Sequence, residues 1–155
     1  MRILNTLLIA CICVLSACSP QPTVDTFDPT KWIRMDSEYA EMTIQQVMIV
    51  RYFASQRMLN DGWSKENYHL DMMDCEDYAQ RMKTEMLMEA KNRGLLNGKA
   101  IPVGVFCYTT DRGNGHAIIF AVCGEKVFFF EPYAEDQNPI QLSRTELASS
   151  MFKWF

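Results

Sequence analysis

The hydrophobic pattern of this chain changes near residue 100, and this change limits the folds that the chain can adopt. Before it, apolar residues recur at helical spacing over about residues 37–59 and 75–93. After it come three segments that alternate as β-strands do, at about 101–109, 116–123 and 126–133. An amphipathic stretch over about 143–152 predicts a closing helix. Helices followed by an antiparallel sheet predict an α+β class.

The first 17 residues are predicted to be a lipoprotein signal peptide. Arg2 precedes an apolar run over residues 3–15 that is too short to span a bilayer. The Leu-Ser-Ala-Cys motif that ends at Cys18 resembles the lipobox of bacterial lipoproteins. This resemblance implies that Cys18 becomes the lipidated first residue, and Ser19 implies an outer-membrane position facing the periplasm if the host sorts lipoproteins as enterobacteria do. An ordinary cleaved signal peptide is the alternative.

The remaining chain is predicted to contain a tether and one domain. Residues 18–35 carry the lipidated cysteine and three prolines among polar residues, which is typical of a flexible tether. Residues 36–155 are long enough to form one domain with a buried core. The formal net charge is −4 and there is no basic cluster, so the chain lacks the electrostatic pattern of a nucleic-acid partner.

Three cysteines belong to the predicted domain: Cys75, Cys107 and Cys123. An odd number in an oxidising compartment indicates at least one free thiol. The predicted hairpin places Cys107 and Cys123 several residue pairs apart, too far for a disulfide, so we expect both to be small buried hydrophobic residues. Cys75 alone lies among polar neighbours.

Cys75 is predicted to begin the second helix, with Asp74 as its N-cap. Unpaired backbone N–H groups and the helix dipole favour a thiolate at this position. The same N–H groups can stabilise an oxyanion during acyl transfer. The sequence leaves the second oxyanion donor open among Gln45, Gln46, Gln56 and Trp63.

The third strand places a carboxylate beside a histidine. A two-residue loop at Gly124-Glu125 would pair Cys123 with Lys126. Counting back from this pair puts His116 and Glu131 on the same face as diagonal neighbours, whereas a slip of one residue would separate them. A thiol, a base and a carboxylate that orients the base are the groups of nucleophilic catalysis, provided that Cys75 docks beside this end of the hairpin.

These residues resemble the transglutaminase-like cysteine proteinases of bacteria and their phages. The resemblance rests on Asp-Cys-Glu-Asp-Tyr-Ala from Asp74, on Gly-His-Ala around His116 and on Glu131 before a proline, and it covers about residues 74–133. It implies a papain/transglutaminase-like core, in which a Cys-bearing helix packs on an antiparallel β-sheet. It also implies that Cys75 is the nucleophile, His116 the base and Glu131 the orienting acid. The third member in that family is usually Asp, so Glu131 departs from its pattern.

The predicted function is that of a lipid-anchored envelope cysteine hydrolase, a peptidase or amidase whose acyl-enzyme is resolved by water or by an amine. The partners implied are a protein or peptide substrate and a membrane. One alternative is a cell-wall peptide hydrolase of the NlpC/P60 type, which typically reads Asp-Cys-Ser-Gly at the nucleophile and uses a second histidine. Another is a catalytically silent lipoprotein whose domain only binds a partner.

Three carboxylates surround the candidate nucleophile: Asp74, Glu76 and Asp77. Their charge opposes that of a thiolate. A calcium ion held by these oxygens would cancel the charge, and similar relatives use calcium beside the cysteine. The alternative is that Asp74 and Asp77 form a capping box and point away from the sulfur. No other cofactor is expected.

Overall fold

The computed structural model describes residues 38–68 and 74–149, and the backbone of 152–154. The predicted signal peptide, the lipidated Cys18 and the tether lie outside the described residues, so they stay predictions. No helix in the described ranges is long and apolar enough to cross a membrane.

Two long helices pack against each other. Helix α1 spans Ile44–Asn60 and begins at a capping box between Thr43 and Gln46, seven residues later than predicted. Helix α2 spans Cys75–Asn92, close to the prediction. Apolar side chains at helical spacing bury one face of each helix: Val47, Val50, Ala54 and Met58 on α1, and Tyr78, Met82, Met86 and Ala90 on α2. Between the helices lies a 3-10 turn, Lys65–Asn67.

Within the part of the chain that the structure describes, five antiparallel strands form one sheet in the order β4-β3-β2-β1-β5. The strands are β1 Val103–Thr109, β2 Gly115–Cys123, β3 Lys126–Phe130, β4 Pro139–Ile140 and β5 Phe152–Trp154. Cys123 pairs with Lys126 across the turn, which confirms the predicted register of the hairpin. Gly124 in this turn has a φ of +62°, a conformation that favours glycine.

The end of the chain differs from the prediction. The expected helix over 143–152 is a shorter helix α3, Arg144–Ala148, which Ser143 caps. Residues 152–154 then pair with β1 as an edge strand. The prediction was wrong because it considered only the amphipathic spacing. The N–H and C=O groups at the outer edge of β1 need hydrogen-bond partners, and β5 supplies them.

Both faces of the sheet are covered. The face towards the helices contributes alternate residues of β1 and β2, among them Val105, Ala117 and Ile119, to the main core. The opposite face forms a second cluster that includes Phe106, Ile118 and Phe120, with Leu147 of α3 packed against it. The central strand β2 is consequently buried on both faces over most of its length. Its first residues, Gly115 and His116, are more exposed and can take part in a site.

Candidate functional site

His116 and Glu131 lie in direct contact at one end of the β2–β3 hairpin. Ile119 pairs with Phe130, so the register places Glu131 opposite Ile118, two residues from His116 on the same face. The Nε2 atom of His116 lies 2.9 Å from the Oε2 atom of Glu131, and the side chains are 18% and 26% exposed. The predicted proximity of these two residues is confirmed.

Cys75 reaches the same point from the helix layer. It is the first residue of α2 and is buried, and its Sγ atom accepts a hydrogen bond of 3.3 Å from the backbone N–H of Ala117. Ala117 directly follows His116 in β2. The sulfur is therefore held beside the strand that carries the histidine, as the candidate triad requires.

The early end of β3 makes this N–H available. The N–H of Val122 donates to Pro102 on the β1 side, so by alternation the N–H of Ala117 points to the β3 side. At this level the register would place Pro132 opposite Ala117, but β3 ends at Phe130 and a proline has no N–H to pair. The sulfur of Cys75 accepts the hydrogen bond that a β3 residue would otherwise accept. It lies in the gap that β3 leaves beside β2, which we call the notch. Neither the hydrogen bond nor the notch was predicted from the sequence.

His116 approaches this notch from the other side of the sheet. Ile118, two residues along β2 and on the same face, belongs to the cluster opposite the helices. The ring of His116 lies 5.8 Å from the ring of Tyr108, which belongs to the same cluster. Cys75 belongs to the helix-side core. The thiol and the imidazole thus come together across the plane of the sheet, where the missing part of β3 leaves room.

The pKa of His116 is raised from 6.5 to about 9. Burial favours the neutral ring, but hydrogen bonding to Cys75 and Glu131, together with the negative charges of both groups, outweighs this effect. Nε2 is engaged by Glu131, which leaves Nδ1 as the ring nitrogen for the thiol. At neutral pH this histidine is an imidazolium between two acidic groups.

The N-cap uses most of the free N–H groups at the start of α2. Oδ1 of Asp74 accepts hydrogen bonds from the N–H groups of Glu76 and Asp77, and the side chain of Asp77 accepts one from the backbone N–H of Asp74. The N-cap does not use the N–H of Cys75, which donates to the side-chain oxygen of Tyr68. Tyr68 was not among the predicted oxyanion donors, because its place in an irregular stretch gives no register.

The three carboxylates at the helix start do not form a metal site in this arrangement. Asp74 and Asp77 are turned to the capping box, and Oε2 of Glu76 lies 3.7 Å from the sulfur of Cys75. Within residues 38–68 and 74–149, no group of three or more acidic, cysteine or histidine side chains is placed to hold a metal ion. The predicted calcium ligands therefore do not fit as a set, and no role is derived for a metal.

Aromatic side chains pack behind the site. The rings of Tyr68, Tyr78 and Tyr133 contact one another, and Trp63 meets Tyr78 edge to face at 5.2 Å. Tyr78 is fully buried and its hydroxyl donates to the carbonyl of Ser64 over 2.6 Å. The cluster fastens the loop before α2 to the loop after β3, which bear Tyr68 and Tyr133 respectively.

Cys107 and Cys123 are free thiols, as expected. Cys107 pairs with Ala117 across the sheet, six residues away from Cys123, which excludes a disulfide between them. Burial raises the pKa of each thiol to about 11. Neither thiol is suited to nucleophilic chemistry at neutral pH.

Comparison with known proteins identifies similar solved structures but no family. No protein-family model and no curated protein matches the chain significantly. Polyporus squamosus lectin bound to the epitope Neu5Aca2-6Galb1-4GlcNAc has a similar fold over 80% of this chain, with a TM-score of 0.55 and 22% sequence identity. A structure described as a PSL1a–E64 complex matches 80% of the chain, with a TM-score of 0.53 and 23% identity. The chain spans 42% and 44% of these two longer chains.

These comparisons correct the predicted fold. The expectation of a papain/transglutaminase-like core is contradicted, because the structural match is to part of a chain described as a lectin. The physical reason is that the motifs between residues 74 and 133 determine only part of the fold. They specify a helix start and one hairpin, whereas α1, β4 and β5 lie outside that stretch and complete the architecture.

Proposed function

We propose that this protein is a cysteine hydrolase in which Cys75, His116 and Glu131 cleave an amide bond through an acyl-enzyme. The observation that supports this most directly is the continuous hydrogen-bonded arrangement at the notch. Ala117 donates to the sulfur of Cys75, His116 contacts Cys75, and Glu131 holds the other nitrogen of His116. A purely structural cysteine has no need of a charged histidine with its own carboxylate.

The high pKa of His116 suggests the order of proton transfers. In the proposed reaction Cys75 attacks the substrate carbonyl carbon as a thiolate, with the imidazolium of His116 beside it. His116 then gives its proton to the leaving amine as the C–N bond breaks, which leaves a thioester on Cys75. Water then attacks the thioester carbonyl carbon and gives a proton to His116, which releases the carboxylic acid and restores the Cys75 thiolate and the His116 imidazolium. An amine in place of water would give transamidation.

The backbone N–H of Cys75 is our candidate for stabilising the oxyanion. It is the N–H of the helix start that the N-cap does not use, and it lies on the residue that carries the nucleophile. The hydroxyl of Tyr68 accepts from this N–H and carries a proton of its own, which makes it the second candidate donor. Two donors at the developing negative charge are the usual arrangement in acyl transfer.

The substrate class and the location follow from the sequence and belong to the proposal. We propose a protein or peptide substrate, in line with the motif resemblance to transglutaminase-like cysteine proteinases, and attachment to the outer membrane through Cys18. Expression in a bacterial host with an alkyne fatty acid tests the anchor. Label should enter the wild-type chain and not Cys18→Ser; label in neither protein would overturn the anchor.

Alkylation of the soluble domain tests the catalytic proposal. Residues 19–155 would be treated with iodoacetamide, or with the epoxide inhibitor E64, between pH 5 and 10, and the labelled cysteines mapped by mass. Cys75 should react near pH 6–7, while Cys107 and Cys123 stay unlabelled below about pH 9 because burial raises their pKa to about 11. They are internal controls for unfolding.

Histidine variants complete the test. His116→Ala should reduce the reactivity of Cys75 at pH 6–7 at least tenfold, whereas His69→Gln, which changes the other histidine of the chain, should leave it unchanged. If Cys75 in the folded domain reacts no faster than Cys107, or if His116→Ala has no effect, the hydrolase proposal is wrong.

A second candidate is ligand binding without catalysis. The observation that favours it is the fold shared with part of a lectin that was solved with a sialylated trisaccharide. Calorimetric titration with that trisaccharide tests it directly. Binding that persists in Cys75→Ser, combined with an unreactive Cys75, would favour this candidate over the hydrolase.

A further inference from the structure

A buried arginine binds the backbone of the residue that carries the carboxylate of the candidate triad. Arg51 is on α1 and is 0% exposed. Its Nη2 atom donates to the backbone carbonyls of Glu131, over 2.7 Å, and of Tyr133, over 3.1 Å. Its guanidinium also lies 5.4 Å from the centre of the Phe130 ring. One side chain therefore holds the segment on both sides of Pro132, where β3 leaves the sheet.

Burying this arginine costs free energy. A buried cation loses its hydration, and two of its nitrogens, Nε and Nη1, make no hydrogen bond among the residues described. Burial lowers the pKa of Arg51 to about 10, against the opposing effect of the charges of Asp136 and Glu131. An apolar residue of the same length would fill the space without this cost. The fold alone gives no reason for the charge.

The charged groups around Arg51 point to the site. Glu131 and Asp136 are the acidic groups that act on it, and Asp136 also faces the exposed Lys65 at 3.4 Å. Glu131 in turn contacts His116, which faces Cys75 and the ring of Tyr108. A chain of contacts thus runs from Arg51 through Glu131 and His116 to Cys75.

We propose that Arg51 is a positioning residue for the triad: it anchors the backbone of Glu131, so that the carboxylate stays aligned with Nε2 of His116. The proposal rests on the proposed hydrolase function. Arg51 does not touch the thiol or a substrate and acts only through Glu131. Its effect should consequently appear in the titration of His116 as well as in the reactivity of Cys75.

Three variants of the soluble domain test this role. Arg51→Met keeps the length and removes the charge and the donors, whereas Arg51→Lys keeps the charge but loses the planar group that spans the two carbonyls. Val50→Ala, at the fully buried neighbouring position of α1, is the matched control for a loss of stability without loss of contact to Glu131. The readouts are the NMR titration of His116 and the rate of Cys75 alkylation at pH 7.

The proposal expects His116 to titrate at least one pH unit lower in Arg51→Met and Cys75 to alkylate about tenfold more slowly. Arg51→Lys should lie between this variant and the wild type, and Val50→Ala should match the wild type in both readouts. A folded Arg51→Met that behaves like Val50→Ala would overturn the proposal. If Arg51→Met does not fold, wild-type behaviour of Arg51→Lys in both readouts would overturn it.

The two proposals fail in different ways. An unreactive Cys75 in the wild-type domain would remove the hydrolase function, but the titration of His116 would still report whether Arg51 holds Glu131. A reactive wild-type Cys75 with no effect of either Arg51 variant would remove the positioning role alone.

Discussion

Glu131→Gln provides the sharpest test of how the site is built. The glutamine keeps the size and an accepting oxygen for His116 but removes the negative charge. Glu131 is one of two groups that raise the pKa of His116 against the effect of burial, the other being Cys75. Without the charge at 2.9 Å, the imidazolium loses one of its two stabilising partners. The pKa of His116 should therefore fall.

The magnitude follows from the size of the shift. The rise from 6.5 to about 9 corresponds to about 3 kcal/mol in favour of the charged ring, at roughly 1.4 kcal/mol for each unit. If Glu131 supplies about half of the favourable effect, the variant should lower the pKa of His116 by at least one unit. Stability should follow the same shift. Because the folded pKa is raised, the contribution is fully present below pH 6.5 and is lost as the pH rises through about 9.

The assay is an NMR titration of the imidazole protons between pH 5 and 10. The chain has two histidines, so His69→Gln leaves a single imidazole to follow. Urea unfolding at pH 6 and pH 10 gives the stability difference, which should shrink in Glu131→Gln. A wild-type His116 that titrates near 6.5, or a pKa that Glu131→Gln leaves unchanged, would refute the reasoning.

Four further outcomes are expected. Glu76→Gln should speed the alkylation of Cys75 at neutral pH by a few-fold, because it removes a negative charge 3.7 Å from the sulfur; a slower reaction would contradict this. Excess chelator should leave that alkylation unchanged, since the carboxylates do not converge on one point; a loss of reactivity would restore the calcium hypothesis. Arg57→Met should lower the free energy of unfolding by about 1–3 kcal/mol, because it leaves Glu89, whose side chain is 10% exposed, with one fewer partner. Lys65→Ala, which removes an exposed ion pair, should cost less than about 1 kcal/mol in the same urea titration.

Local features of the fold could be predicted from the sequence. Asp74 and the apolar stripe after it placed the start of α2 correctly, and the Gly124 turn set the register that brings His116 to Glu131. Both depend on residues close together in the chain, where capping and turn chemistry act directly. The short strand β5 could not be predicted, because its partner β1 lies more than 40 residues away.

The candidate site was predictable only in part, for the same reason. Residue types and spacing identified the three members of the proposed triad, but not how Cys75 meets the sheet. That contact depends on the N–H of Ala117 being released where β3 stops, a property of pairing rather than of composition. Arg51 gave no signal, since a lone arginine in an amphipathic helix normally faces water.

The contacts between α1 and α2 link the tilt of α2 to the position of Cys75 at its first residue. Arg57 binds Glu85 and Glu89, which lie 10 and 14 residues beyond Cys75. At 1.5 Å of rise for each residue, these ion pairs are roughly 15–20 Å from the sulfur. A tilt of α2 by only about 4° at these contacts would displace Cys75 by about 1 Å, enough to slow the proposed reaction about a hundredfold. Substitutions at these distant charges should consequently change the alignment of the thiol before they unfold the domain.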